Sequence, residues 1–193
     1  MIILTAKCPF CGSDLAIPTF WCSYCNCDSN GNPNSVEAAT VKAIESELRS
    51  AFSGVTLHGG VTIEEANEED FFLEESSGGE RRKREQEESW SDVPATKIES
   101  MFPSLFGFDA NGWKYYLPAF MCWVLKCWRS SSSPTPEWLV STLTRKRGVR
   151  DHFAVLNLTQ SKAVFAFLSY CRMYFDEKTA LEAIESYWRQ FED

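Results

Sequence analysis

The sequence contains few histidines, the residue that enzymes use most often in acid–base catalysis. Its 193 residues include only two histidines, His58 and His152. Neither lies in an H-E-x-x-H motif or a catalytic-triad pattern, and we expect both side chains to be exposed. No P-loop or dinucleotide-binding fingerprint is present, since the glycines are scattered through predicted loops. No catalytic residue is therefore assigned, although an enzyme with a carboxylate site that shows no motif stays open as an alternative.

Long apolar runs are also missing. The stretch AVFAFLSYC is much shorter than the roughly 18 residues of a membrane span, and charged residues flank it. The N-terminal MIILTAK lacks the charged region of a signal peptide. We therefore expect a cytoplasmic protein with no membrane partner. In that reducing compartment the eight cysteines should be thiols or metal ligands rather than disulfides.

Basic residues are scarce between residues 36 and 75. The net charge is −8, and residues 36–75 hold ten acidic and two basic residues. Such a segment repels phosphate backbones, so a nucleic-acid partner is possible but not favoured. Acidic residues in the first turns of helices explain much of this run, and an acidic docking surface is the alternative.

Cysteine, in contrast, is concentrated near the N-terminus. The stretch KCPFCGSDLAIPTFWCSYCNCDS, residues 7–29, contains five cysteines, four of them in two C-x-x-C pairs separated by ten residues. Two such pairs supply the four thiolates of a tetrahedral structural zinc site. The predicted zinc ligands are Cys8, Cys11, Cys22 and Cys25.

A site with four thiolate ligands has no open position for water or substrate, so we expect the zinc to be structural. A segment of about 30 residues with few apolar anchors cannot build its own core, and metal binding would supply its folding energy. Cys27 follows the second pair by one residue. We interpret it as a spare thiol, with ligand exchange against Cys25 as the alternative.

The rest of the chain has helical periodicity. A helix is predicted from Ser35, with Val41, Ile44, Leu48 and Phe52 on one face and Gly54 ending it. Thr62 and Glu65 form a capping-box pattern that starts another helix. Residues 74–90 are polar and charged, which is typical of a linker or an exposed loop.

The aromatic C-terminal half is predicted to form the larger core. Helix starts are expected near Pro94, Pro118, Pro136, Thr159 and Asp176. The D-A-N-G stretch at residues 109–112 predicts a turn, with a short hairpin or extended loop before Pro118. Cys122, Cys127 and Cys171 lie in apolar helical runs and are interpreted as core thiols.

Several motifs together resemble known sequences. AFSGVTL, TIEEA, SWSDVP, FDANGWKYYLPAF and LNLTQ occur in this order. In this arrangement the chain from about residue 36 to 193 resembles a family of small, uncharacterised bacterial α-helical proteins. Residues 5–30 resemble a zinc ribbon, which would be an N-terminal extension of that domain. The resemblance implies an architecture and carries no activity.

Two segments are candidate binding surfaces. Trp113, Tyr115 and Tyr116 crowd one short stretch, where they could line a groove for a protein partner or could pack inside the helical domain. Arg145, Lys146, Arg147 and Arg150 form a basic stretch that could contact nucleic acid or could meet the acidic segment within the fold.

The sequence thus predicts a mainly α protein: a helical domain with a small N-terminal zinc ribbon built on a short β-hairpin. The expected organisation is a ribbon at 1–33, a helical segment at 34–73, a polar linker at 74–90 and an aromatic-rich helical core at 91–193. The expected function is a non-enzymatic interaction or regulatory role with a protein partner. The alternatives are a nucleic-acid-associated zinc-ribbon protein and an enzyme with an unrecognised carboxylate site.

Overall fold

A computed structural model of the chain describes residues 6–7, 14–15, 35–66, 89–100, 107–144 and 150–192, which are mainly α-helical. The α-helices are α1 (Ser35–Ala51), α2 (Ala95–Ser100), α3 (Ala110–Cys127), α4 (Thr135–Thr142), α5 (Arg150–Phe153), α6 (Leu158–Tyr174) and α7 (Glu177–Ser186). Short 3₁₀ helices span Trp90–Asp92 and Trp188–Phe191.

Two short strands precede the helices. Strand β1 (Ala6–Lys7) pairs antiparallel with β2 (Asp14–Leu15). The register places Ala6 opposite Leu15 and Lys7 opposite Asp14. The six residues that join the strands therefore include the first C-x-x-C pair.

Helix α1 has the predicted apolar face. Ile44, Leu48 and Phe52 are buried, and Val41 packs against them from a partly buried position. The backbone at Gly54 has φ +72°, which glycine adopts without the steric cost that a Cβ would add. Helix α1 ends at Ala51, three residues before the predicted Gly54, which lies in the turn that follows the helix.

The predicted capping box is present. Thr62 N–H donates to Glu65 Oε2 at 2.9 Å, and Glu65 N–H donates to Thr62 Oγ1 at 3.2 Å. These reciprocal bonds satisfy two backbone donors at the start of the helical turn at 63–66.

Helix α3 differs from the prediction. It begins at Ala110 with Asp109 as its N-cap, so residues 109–112 form the first helical turn rather than a turn before a hairpin. Pro118 lies inside α3 and does not start it. An interior proline typically costs about 3 kcal/mol, because it removes a hydrogen bond and clashes with the preceding turn. Burial of nearly every residue of α3 from Trp113 to Leu125 offsets that cost.

Helices α6 and α7 complete the domain. Asn157 caps α6 in a reciprocal arrangement with Gln160, so the helix begins one residue before the predicted Thr159. The predicted cap of α7 is confirmed, since Asp176 Oδ1 accepts a hydrogen bond from Thr179 N–H at 3.0 Å. Helix α6 packs against both α1 and α7 and is the central helix of the domain, as expected.

The segments on both sides of residues 67–88 share one core. Buried residues of α1 belong to the same cluster as buried residues of α3, α4, α6 and α7. Trp90 is 5% exposed, and its indole Nε1 donates to the carbonyl of Phe52 at 3.0 Å. None of the helices described here has the length and apolarity needed to cross a membrane.

Candidate functional site

The predicted zinc ligands Cys8, Cys11, Cys22 and Cys25 lie outside the described residues, as does Cys27. The paired strands β1 and β2 flank the first cysteine pair on both sides. Within the ranges that the structure describes, histidine, cysteine and acidic side chains do not form a group of three that could hold a metal ion. The prediction of a zinc site therefore rests on the spacing of the cysteines in the sequence.

The aromatic candidates for a partner surface are buried. Trp113 and Tyr116 are each 1% exposed and Tyr115 is fully buried. Tyr115 and Tyr116 meet edge to face, with ring centroids 4.8 Å apart, and Trp113 lies 5.6 Å from Phe153. A partner could reach these rings only if the helices separated. They belong to the core of the domain, because all three project from a helix that is enclosed on most sides.

The basic stretch is only partly within the described residues. Arg145, Lys146 and Arg147 lie outside them, and Arg150 is the first residue of α5. The acidic segment that it could meet begins in the capped turn at 63–66 and continues outside the described part. The nucleic-acid alternative thus stays a hypothesis drawn from the sequence.

The histidines occupy different environments. His58 is exposed, as predicted, and has φ +48°, a left-handed conformation that is uncommon for residues other than glycine. His152 is half-buried, and its ring centroid lies 6.0 Å from that of Trp113. The expectation of an exposed side chain is therefore wrong for His152, because α5 packs against α3.

The thiols of the helical domain are poor nucleophiles. Burial and the nearby charge of Glu45 raise the pKa of Cys122 to about 11. Burial and the charge of Asp176 raise the pKa of Cys171 above its ordinary range. Burial and Glu99 also raise the pKa of Cys127, which is half-buried. Because the thiolate is the reactive form, all three thiols should react slowly. Cys122 and Cys171 are core thiols, as predicted, whereas Cys127 packs against the core from a half-buried position.

A buried polar network links three distant parts of the chain. Glu37, in the first turn of α1, is 4% exposed. Both of its carboxylate oxygens accept hydrogen bonds from Arg129, at 2.5 and 3.2 Å. Tyr170 OH of α6 donates to Glu37 Oε1 at 2.7 Å and accepts a hydrogen bond from Trp128 Nε1 at 3.1 Å. We call these four residues the Glu37 clamp.

The electrostatics of the Glu37 clamp favour a structural role. The guanidinium of Arg129 also lies 4.0 Å from the ring centroid of Trp128, a cation–π contact that holds Arg129 in addition to its ion pair with Glu37. Burial raises the pKa of Tyr170, and the hydrogen bond to the Glu37 carboxylate raises it further against the opposing effect of Trp128. Tyr170 therefore stays protonated at neutral pH, and its hydroxyl can donate to Glu37.

Sequence reasoning missed the Glu37 clamp, although one signal was present. Glu37 precedes Val41, Ile44 and Leu48 at helical spacing, so it lies on the apolar face of α1. An acidic residue on a buried face needs a cationic partner. The partner could not be identified, because Arg129 and Tyr170 lie 92 and 133 residues away.

Comparison with known proteins gives a family and no activity. Residues 40–192 match the model of a family described as a "Family of unknown function (DUF6714)". Since the match extends from α1 to the last 3₁₀ helix, the chain belongs to this family. Neither curated proteins nor solved structures gave a match. The family match begins after the five N-terminal cysteines, so it covers the helical domain that the sequence motifs resembled and not the predicted zinc ribbon.

Proposed function

We propose that this member of DUF6714 is a zinc-binding, non-enzymatic interaction or regulatory protein of the bacterial cytoplasm. In this proposal Cys8, Cys11, Cys22 and Cys25 hold one structural zinc ion, and the ribbon that they form contacts a protein partner. The observation that carries the proposal is the double C-x-x-C pattern with ten residues between its pairs. That spacing suits a tetrahedral four-thiolate site.

The paired strands support a ribbon at this position. Antiparallel pairing of β1 with β2 holds the two ends of the segment that carries Cys8 and Cys11 about one strand spacing apart. The C-x-x-C spacing lets two thiolates face a common centre. A second pair then completes the coordination of the metal.

Several carboxylates of the helical domain have structural roles, which supports a non-catalytic function. Asp109 and Asp176 cap helices, Glu65 completes a capping box and Glu37 is paired with Arg129. Each of these carboxylates already accepts hydrogen bonds that the fold requires. Because Trp113, Tyr115 and Tyr116 are buried, we assign the partner contact to the ribbon instead.

Metal analysis tests the zinc site. Protein purified without added metal should contain one zinc per chain, and Cys8→Ser and Cys22→Ser should each lose most of it. Cys27→Ser is the matched control and should retain the metal, because the proposal leaves this thiol outside the site. A zinc content below about half an equivalent, with the same thermal stability in wild type and Cys8→Ser, would contradict the proposal.

Affinity purification from the native host tests the interaction. The wild-type chain and Cys27→Ser should retain the same protein, and Cys8→Ser should lose it. The retained protein should then bind the purified chain in a zinc-dependent way. If Cys8→Ser retained as much of that protein as the wild type, the interaction would not depend on the ribbon. Recovery of nucleic acid that is lost in the Arg145→Ala, Lys146→Ala, Arg147→Ala triple variant would favour the nucleic-acid alternative.

A further inference from the structure

A small crevice lies between the C-terminal half of α1, the segment 90–98 and α3. Its volume is about 160 Å³, and it is partly open to solvent. The apolar part of its lining consists of Trp90, Val93, Ala95, Ile98, Ala119 and Trp123. We call it the Trp90–Trp123 crevice. An apolar cavity of about 150 Å³ in another protein holds one benzene molecule, so this crevice has room for a single ring.

Two cationic side chains lie at the rim of the crevice. Arg49 and Lys126 both line it, and their side chains are 50% and 51% exposed. Both bind the same oxygen of Glu45, with Arg49 Nη2 at 2.9 Å and Lys126 Nζ at 2.8 Å. Two cations thus share one carboxylate, which leaves this side of the rim able to accept a second anion.

Glu45 itself is ionised at neutral pH. Burial raises the pKa of its carboxyl, but the hydrogen bonds from Lys126 and Arg49 lower it more, so the pKa lies below its ordinary value. A second negative charge, Glu99, lies near Cys127 at the lining and contributes to the raised pKa of that thiol. An incoming anion should therefore approach the Arg49 and Lys126 side.

The thiols in the lining do not suggest covalent chemistry. Cys122 and Cys127 both line the crevice, and burial raises the pKa of each. A protonated thiol is a weak nucleophile and behaves here as part of the apolar wall. The lining therefore favours reversible binding.

We propose that the Trp90–Trp123 crevice binds a small organic acid, with a ring about the size of benzene against the two indoles and a carboxylate towards Arg49 and Lys126. This site goes beyond the proposed function, since it lies in the helical domain and does not involve the ribbon. The size of the crevice selects the ring, and the charge of the rim selects the acid. A ligand this small should bind with a dissociation constant on the order of 1 mM.

Phenylacetate is a suitable probe, and 2-phenylethanol is its neutral counterpart. Titration of the full-length, ¹⁵N-labelled protein should shift the indole N–H resonances of Trp90 and Trp123 more than those of the other tryptophans. Phenylacetate should bind at least about fivefold more tightly than 2-phenylethanol, and this advantage should shrink as salt is added.

Removal of the cations at the rim should weaken phenylacetate binding, and removal of the Glu45 charge should strengthen it. The double variant Arg49→Gln, Lys126→Gln should weaken phenylacetate binding at least about tenfold and leave 2-phenylethanol unchanged, because Glu45 then repels the acid. Glu45→Gln should instead strengthen phenylacetate binding by about three- to tenfold, since both cations become available. Lys42→Gln is the matched control, because Lys42 is exposed on α1 and does not line the crevice.

Filling the crevice gives an independent test. Ala119→Leu should abolish binding of both probes, and its melting temperature and spectrum show whether the variant is folded. The proposal is overturned if Trp90 and Trp123 do not shift at 10-fold the expected dissociation constant. It is also overturned if the two probes bind equally, or if Glu45→Gln weakens phenylacetate. Absence of binding because another segment of the chain occupies the crevice would count against it in the same way.

Discussion

The side chain of Asp109 accepts a hydrogen bond from the backbone N–H of Val61, which lies 48 residues earlier in the chain, at 3.0 Å. The same oxygen, Oδ1, accepts the N–H of Gly112 at 2.8 Å. One carboxylate oxygen therefore caps α3 and also ties the loop after α1 to the start of that helix. The most deeply buried helix of the domain begins at a contact between two distant segments.

Replacement of Asp109 tests this double role. Asp109→Ala should lower the free energy of unfolding by about 2 kcal/mol, because it removes a helix cap and leaves a second backbone donor without its acceptor. Asp109→Asn keeps a side-chain oxygen and should lose less than half as much. Urea denaturation followed by circular dichroism measures both. Equal losses for the two variants would mean that the charge, and not the pair of hydrogen bonds, provides the stability.

Replacing Gly112 by alanine should destabilise the domain, although helix propensity alone predicts that the substitution stabilises it. In an exposed helix interior, glycine to alanine stabilises by about 1 kcal/mol. A Cβ at Gly112 would instead collide with the backbone carbonyl of Val61, which cannot move without breaking the Asp109 contact. We therefore expect Gly112→Ala to destabilise the domain by more than Gly54→Ala, where no atom lies within 4 Å of the added carbon and only the strain of a positive φ opposes it. A stabilised Gly112→Ala variant would contradict the close approach of the two segments.

The Glu37 clamp should be sensitive to the loss of one partner only. Glu37→Ala leaves Arg129 buried without its carboxylate and should cost about 3–5 kcal/mol. The double variant Glu37→Leu, Arg129→Met removes both charges and should be much closer to wild type. Thermal unfolding of the single variants Glu37→Leu and Arg129→Met and of the double variant gives the coupling free energy. If the single and double variants lost stability additively, Glu37 and Arg129 would not act as a pair.

Thiol labelling tests the low reactivity of the buried cysteines Cys122 and Cys171. The pKa of Cys122 is about 11 against an ordinary value of 9.0, so at neutral pH its thiolate population is about 100-fold smaller than that of an exposed thiol. Alkylation of Cys122 and Cys171 in the native protein should therefore be slow and should accelerate as the pH rises towards 11. Mass spectrometry after brief treatment with iodoacetamide locates the label, and unfolding in urea provides the control. Fast labelling of Cys122 at neutral pH would show that the helices around it open readily.

Local signals in the sequence were sufficient for much of the fold. The capping box of Thr62 and Glu65, the apolar face of α1 and the cap of α7 all follow from residues within one or two helical turns. Such features depend on local backbone geometry, which the sequence specifies directly. The mainly α character of the domain was predictable for this reason.

The start of α3 shows where local signals are ambiguous. Aspartate followed by asparagine and glycine favours a turn, but aspartate is also a preferred N-cap. Proline usually marks the first turn of a helix, whereas Pro118 lies in the interior of α3. In the structure Asp109 is an N-cap and also accepts the N–H of Val61, a contact between distant segments that local signals do not reveal.

The candidate site was less predictable than the fold. Trp113, Tyr115 and Tyr116 are equally compatible with a binding surface and with a core, and only their burial distinguishes the two. The Trp90–Trp123 crevice combines residues from α1, from the segment 90–98 and from α3, and no sequence pattern relates these three segments. The cysteine spacing, in contrast, is a local signal, and the zinc site is for that reason the part of the function that the sequence predicts most directly.

The anchoring of Trp90 on the carbonyl of Phe52 has a practical consequence for protein engineering. Ala66 is fully buried before residue 67 and Trp90 is buried soon after residue 88, so the core holds both ends of the intervening stretch. When both ends of a stretch are fixed, doubling its length costs only about 0.6 kcal/mol of closure entropy. Because the composition of residues 74–90 predicts a polar linker or exposed loop, we expect a reporter or epitope inserted within residues 74–88 to leave the helical domain intact and to label the protein far from the cysteine pairs in the sequence.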